Sequence, residues 1–347
     1  MGIDVMKGSE SWIAFAEEVD FNGALDGVSP QYAWLMMLSE SVKLDKEEKS
    51  PDYITGGREE QVSKIFGGGV SGDIEFNPDV DSLPWFLKWG LGTLTSTQDG
   101  ISSAYSHEAR ILSGASLRTF KIFKNVGGLP SAPLLLQDSA CKINTLELEI
   151  VKQDWLKGRV SINGRDEADG TDVSGTRITP GIFKLPVYDN CMAKIGPVGT
   201  TDFSAISAAD DIETAKLVLN NNLSTDDIVM DGTGKPRSIP EGKASMTIDL
   251  TSRDTSKTEY NKFKNGTEFA LSIIADTGVL IDDPDSVLTY GLQFIFPRCK
   301  YGSYPLNISG NEQLTSNSTI RALRDQTAGF LVKAVVANAV DSYPNAV

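Results

Sequence analysis

Residues 68–93 read GGVSGDIEFNPDVDSLPWFLKWGLGT, and 174 positions later residues 242–267 read GKASMTIDLTSRDTSKTEYNKFKNGT. Placed without a gap, the two stretches share seven of 26 positions: Gly68/Gly242, Ser71/Ser245, Ile74/Ile248, Ser82/Ser256, Lys88/Lys262, Gly92/Gly266 and Thr93/Thr267. Four further pairs keep their chemistry, namely Glu75/Asp249, Phe76/Leu250, Phe86/Tyr260 and Trp89/Phe263. Each stretch spells strand, turn, short helix, glycine and strand. In the first, Asp81 or Ser82 is placed to cap, Pro84 suits the first turn, and Leu83, Phe86, Leu87 and Gly90 fall at helical spacing before the stop at Gly92. In the second, Ser256 and Glu259 have capping-box spacing, Tyr260 and Phe263 share a face, and Gly266 supplies the left-handed stop. A repeat of this length is domain-sized, far above the roughly 20–50 residues of a solenoid unit. It predicts a duplicated domain, residues 1–180 forming one copy and 181–347 the other. Trp85, Leu87 and Trp89 become Glu259, Asn261 and Phe263, so the first helix should lie deeper than the second.

Outside the repeat, period-two alternation dominates. In 144–151, Leu146, Leu148 and Ile150 alternate with Thr145, Glu147 and Glu149, the pattern of a strand with one face buried and one wet. Similar strands are read at 72–76, 117–123, 159–164, 214–219, 245–250, 269–275, 289–296 and 330–337. The acidic, glycine-rich run 164–181 reads as the connection between the copies. The polar stretches 43–57 and 224–242 read as long loops that meet solvent or a neighbouring subunit. Residues 1–35 have no clear counterpart in the second copy and are expected to reach onto a neighbour.

At 347 residues two domains are the default. A hydrophobic content of 40% with 23% charged residues is that of an ordinary globular protein. The net charge of −15 argues against a basic nucleic-acid footprint, though a wall past which DNA slides should not attract it either. Cys141, Cys191 and Cys299 are odd in number and widely spaced, so neither a disulfide framework nor a zinc site is expected. The N-terminus lacks an apolar run of signal-peptide length, and no segment approaches 18 apolar residues, so no membrane span or secretory leader is expected.

Catalytic chemistry finds little purchase. His107 is the only histidine, which leaves a serine or cysteine triad and a His-rich metal site without material, and it reads as a polar strand or loop residue. Gly67, Gly69 and Gly72 match GxGxxG literally, but a strand rather than a helix follows them. The acidic clusters 226–231 and 282–285 do not fit an EF-hand: counted from Asp227, position three is Val229 and position twelve is Ser238. No carboxylate pair stands out for glycoside hydrolysis. In TFKIFKNVGG, 119–128, the basic and aromatic residues are better explained by a strand face than by a base-stacking platform. No enzyme activity, cofactor or metal is expected.

The run GDIEFNPDVDSLPWFLKWGLG, then the strand pair around 107–123, SACKINTLELEI and WLKGRVSINGRDEA, resembles the tail tube (major tail) proteins of long-tailed bacteriophages. GKASMTIDL, the 260–266 helix, LQFIFPRCKYGS and FLVKAVVANAV extend the resemblance through the second half. It implies a mainly β chain of two tandem tail-tube-like β-sandwich domains, each with a short flanking helix, here carrying Phe86 and Trp89, and Tyr260 and Phe263. The inner sheets of such domains join their neighbours' into a barrel around a channel, and duplicated forms build trimeric rings with pseudo-six-fold symmetry. The implied role is a structural virion protein, assembled in the host cytoplasm and stacked as the conduit for DNA ejection. Its partners would be tape-measure, baseplate or tip and terminator proteins, with duplex DNA only as cargo. Glu147 and Glu149 are then candidates for the lumen. Two alternatives remain: another ring or adaptor protein of the tail, and a two-module carbohydrate- or receptor-binding β-sandwich.

Overall fold

The alternation around KINTLELEI becomes the second half of a 16-residue strand, and long strands of this kind organise the molecule. The computed structural model describes residues 11–26, 31–52, 62–111, 114, 116–127, 134–171, 173, 184–253, 257–281, 287–306 and 314–343. In chain order these contain β1 (Trp12–Glu17), β2 (Ala33–Trp34), β3 (Met37–Glu40), β4 (Lys43–Lys49), β5 (Lys64–Phe76), α1 (Leu83–Leu91), β6 (Gly92–Gln98), β7 (Tyr105–Ile111), β8 (Phe120–Asn125) and β9 (Leu135–Ile150). There follow β10 (Lys157–Gly164), β11 (Asp166–Asp169), β12 (Met192–Pro197), β13 (Ile212–Asn220), β14 (Ser245–Arg253), α2 (Thr258–Asn265), β15 (Phe269–Leu280), β16 (Thr289–Ser303), β17 (Thr315–Ala322) and β18 (Lys333–Asn338). All the strand pairings are antiparallel and join the strands into one continuous sheet, folded so that its apolar faces meet. The fold is mainly β, as the alternation predicts.

Two long strands carry the chain from one layer to the other. The first half of β9 pairs with β8 and β11, and its second half with β10 and β13. Ala140, buried and at φ 52, marks the bend. β16 repeats the device, its first part pairing with β15 and β18 and its last residues with β17. The connectivity occurs twice. The order β1–β8–β9–β11 in one layer and β4–β5–β10–β9 in the other is matched by β12–β15–β16–β18 and β13–β14–β17–β16. The hairpin β6–β7 has no counterpart. It leaves its own half and extends the other, with β7 pairing along β18.

All nine strands read from the sequence are present, but the long ones run well past the read bounds: β5 starts at 64 rather than 72, β9 at 135 rather than 144, and β16 ends at 303 rather than 296. The loop reading of 43–57 is corrected: residues 43–49 form β4, paired to the N-terminal half of β5. Its KLDKEEK shows no alternation because nearly every side chain is exposed, and residues 53–57 lie outside the described set. Part of the 164–181 connection is β11, and the 180/181 boundary also lies outside the described residues. Of the segment 1–35 expected to reach onto a neighbour, residues 1–10 lie outside the described residues and residues 12–17 form β1 within the chain's own sheet. That strand pairs with β8, and Phe15 is fully buried against Phe86 and Phe120.

The helices differ as their sequences require. Every residue of α1 is buried and none of α2 is. Trp89 stacks on Phe120 at 4.5 Å, and its indole N–H donates to Glu17 Oε2 at 3.0 Å. Lys88, equally buried, reaches the same oxygen at 2.7 Å. Tyr260 and Phe263 are half-buried against Tyr304. Gly92 (φ 97) and Gly266 (φ 63) end the helices in the left-handed conformation, where a Cβ would be strained. The cap differs from the expectation. Neither Asp81 nor Ser82 caps α1 through its side chain; Asp79 Oδ1 accepts the amides of Asp81 and Ser82 instead. Ser256 lies outside the described residues, and Glu259 turns to Lys262 and to the Tyr301 hydroxyl.

Candidate assembly interface

A sheet whose edge strands stay unpaired presents rows of free N–H and C=O groups, which are the natural sites for adding another strand. The layer containing β9 and β13 runs β3/β4–β5–β10–β9–β13–β14–β17–β16. Within it the two halves meet at a seam of six residue pairs, from Ala215↔Ile150 to Asn220↔Thr145. Its core face is dry: Leu148 and Leu217 are 2% and 3% exposed. On its wet face Lys216 Nζ pairs with Glu147 Oε2 at 2.8 Å.

The layer ends in two edges that have no partner strand among the described residues. One is the outer side of β3 and the start of β4; the other is the outer side of β16 after Cys299. These edges are the counterparts of the two sides of the internal seam. Thr319 stands opposite Asp249 and Ser303, as Arg159 stands opposite Glu75 and Glu147, so Ser303 holds the place of Glu147. Likewise Val218 faces Thr247, while the Ser41 amide donates to Asp73 O, so Ser41 holds the place of Val218. The edge strand carries Lys43, Lys46 and Lys49 along β4, charges of the kind that discourage indiscriminate edge pairing. Gly72 lets β5 pass close under this edge. At φ 154, a Cβ there would stand 2.5 Å from Ser41 O and Val42 Cα.

The wet face of the layer mixes its charges. Asp73, Glu75, Glu147, Glu149 and Asp249 are interleaved with Lys157, Arg159 and Lys216 in adjacent cross-strand positions, while towards the β16 edge Lys300 and Arg321 stand opposite each other. Arg159 pairs with Asp73 at 2.5 Å. Glu147 is half-buried and Glu149 exposed, as the alternation predicts. A shallow depression of about 230 Å³ lies over them, lined by Leu38, Glu75, Lys157, Arg159 and Lys216 among others. Phe86 and Trp89 lie in the core instead, and the structure does not bring them to this face.

Behind the β3 edge sits a buried ionic cluster that sequence reading missed. Lys124 on β8 is flanked by Asp138 on β9 (2.9 Å), Glu167 on β11 (3.5 Å) and Glu40 on β3 (3.6 Å). Burial raises the Asp138 carboxyl to about 7, with Lys124 pulling it back only in part. Burial likewise raises Glu40. The same burial pulls the Lys124 ammonium down, but the three carboxylates more than offset it and the net shift is upward. The only signal in the sequence is that Asp138 and Lys124 occupy strand positions where an apolar residue would fit the pattern.

Of the two readings of His107, strand or loop residue, the structure shows the strand. The residue lies on β7, fully buried between the halves, with Nδ1 2.8 Å from Ser96 Oγ and Nε2 2.8 Å from Asn338 Oδ1 on β18. Asn338 Nδ2 donates to Val80 O and to the Tyr343 hydroxyl, which donates to Asp81 O. Among the described residues no group of three or more His, Cys, Asp or Glu side chains is arranged to hold a metal. The cluster 282–285 lies outside the described residues. No helix of the described residues is long and apolar enough to cross a membrane.

In comparison with known families, a family model described as phage tail tube protein matches residues 8–330. No curated protein gives a significant match.

Proposed function

The chain belongs to the phage tail tube protein family, a family of structural virion components, and on that premise we propose that three copies close into a ring of six similar units that stacks into the DNA conduit. The observation that carries this reading is the internal β9–β13 seam. One chain already contains the kind of junction that a ring needs, and it leaves the two complementary edges open at its ends. The outer edge of β16 in one chain would add to the outer edge of β3 and β4 in the next. A head-to-tail contact of this sort closes into a ring when its rotation is right, and closure removes the remaining edges. The recurrence of strand order supports a tandem duplication, and that doubling is why three chains rather than six would complete the ring.

The wet face of the eight-strand layer would line the channel, with Glu147 and Glu149 on it. Its balance of charges suits passage of a polyanion. Unopposed cations would hold phosphates by releasing their counterions, whereas at the centre of this face the cations are paired with carboxylates, Lys216 with Glu147 and Arg159 with Asp73. No step of this role requires a catalytic group or a cofactor. Assembly would take place in the host cytoplasm, on proteins that set tail length and start the tube.

The register of the internal seam gives the test. Glu147 faces Val218, so Ser303 of one chain should face Ser41 of the next. Directly opposed residues in antiparallel strands have Cα atoms about 4.5–5.5 Å apart, within disulfide range. The double variant Ser41→Cys, Ser303→Cys should oxidise to a covalent trimer on a non-reducing gel and form open-centred rings or tubes by negative-stain microscopy. Intramolecular products only, with dispersed monomers at every concentration, would refute the ring.

A further inference from the structure

The open edge at β3 has an unbalanced ionic cluster directly behind it. Lys124 Nζ faces Asp138, Glu167 and Glu40 within 3.6 Å and donates to the Val42 carbonyl at 2.8 Å. One ammonium thus serves three carboxylates, drawn from β3, β9 and β11, and the Cys141 thiol beside Asp138 stays neutral because burial pushes it far up. Asp138 is wholly buried and Lys124 nearly so, whereas the side chains of Glu40 and Glu167 keep 24% and 19% of their surface. Those two carboxylates are the members that still reach water.

The internal seam shows what a covering strand does at this position. Glu40 is the cross-strand partner of Ile74, as Leu217 is of Ile248, 174 residues further on. Leu217, covered by β9, is 3% exposed. A neighbour's strand on β3 carries Glu40 into the same surroundings. Removing water from a second and third carboxylate that share one cation disfavours their charged forms, and the group neutralises by binding protons rather than pay the burial of unpaired charge.

We propose that closure of the inter-chain seam takes up a proton at the Glu40–Lys124–Asp138–Glu167 cluster, so that ring assembly is strengthened as pH falls through neutrality. This rests on the ring reading above and names its regulation. With Asp138 at about 7, the open cluster carries a charge of about −2 above that pH, and closure must recruit the proton. Below it the proton is already bound and the dependence levels off. One coupled proton weakens each seam about tenfold per pH unit.

Sedimentation velocity of the full chain across pH 6.0 to 9.0 reads this directly, together with calorimetry of assembly in two buffers of different ionisation heat, which counts protons. Wild type should lose about tenfold in seam affinity per unit above pH 7 and take up close to one proton per seam. Glu40→Leu, which installs the residue type of the internal seam, should assemble at pH 8.5 as well as at pH 6.5, and Glu40→Gln should flatten the slope. Rings that form equally at every pH, or no proton uptake by wild type, would overturn this proposal alone. Monomers under all conditions would overturn it and the ring together.

Discussion

Truncating Trp89 should cost this protein far more than truncating Phe263, its counterpart 174 residues on. Trp89 is fully buried, stacked on Phe120 and in edge contact with Phe86. A buried tryptophan removes about 150–250 Å² from water, which at ~25 cal/mol per Å² is about 4–6 kcal/mol. Compactness of the unfolded chain trims that by about 10–40%, bringing it into the range of about 3–5 kcal/mol seen for large-to-small core truncations. Phe263 is half-buried beside Tyr304, so roughly half the value of a fully buried phenylalanine, about 1–1.5 kcal/mol, is expected for Phe263→Ala. Urea unfolding of the dispersed chain, followed by far-ultraviolet circular dichroism with shared m values, measures both. Because about 4 kcal/mol is a large part of a typical domain's stability, Trp89→Phe provides an intermediate. It keeps a ring but loses the bond to Glu17 and should cost about 1–2 kcal/mol. Equal losses for Trp89→Ala and Phe263→Ala would refute the claim that the two helices are unequally buried.

Gly72→Ala and Gly100→Ala both force alanine into positive φ, but only the first meets backbone at 2.5 Å. The second should cost about 1–2 kcal/mol and the first clearly more, judged by denaturation midpoints. Asn338→Ala strips partners from His107, Val80 O and Tyr343 at once and should cost about 3 kcal/mol in the same assay. Burial lowers the His107 pKa, so the folded chain holds its imidazole neutral while the unfolded chain binds a proton near 6.5. The stability this protects is complete above about pH 6.5 and is lost as pH falls below it. Asp138, raised to about 7 by burial, works in the opposite direction, losing stability as pH rises through that value. His107→Gln should therefore unfold with less acid sensitivity than wild type between pH 7.5 and 5.5.

Where burial is one-sided, the sequence was readable. Glu147 and Glu149 alternate with leucines, and both lie on the wet face. The glycine stops were equally plain, because few residues other than glycine adopt the left-handed conformation. β4 was misread for the opposite reason: a strand exposed on both faces has no periodicity to betray it. β1 was missed because WIAFAE is nearly all buried and carries no alternation. The capping error was local, since Asp79, Asp81 and Ser82 are all chemically able and only the turn geometry selects Asp79. The Lys124 cluster needed tertiary information, as its members come from four strands between residues 40 and 167.

The pairing of β7 with β18 has a consequence in time. The His107–Asn338 contact spans 231 residues, which a ribosome adds in about 10–50 s at ~5–20 residues per second. Throughout that interval β7 has β6 on one side and nothing on the other, so the first half exists with an unfinished outer layer. The eighteenth strand is thus the one that completes the layer begun by the seventh. A chain truncated before β18, or still being made there, lacks this closing strand, and the 231-residue separation acts as a clock that delays the completed layer.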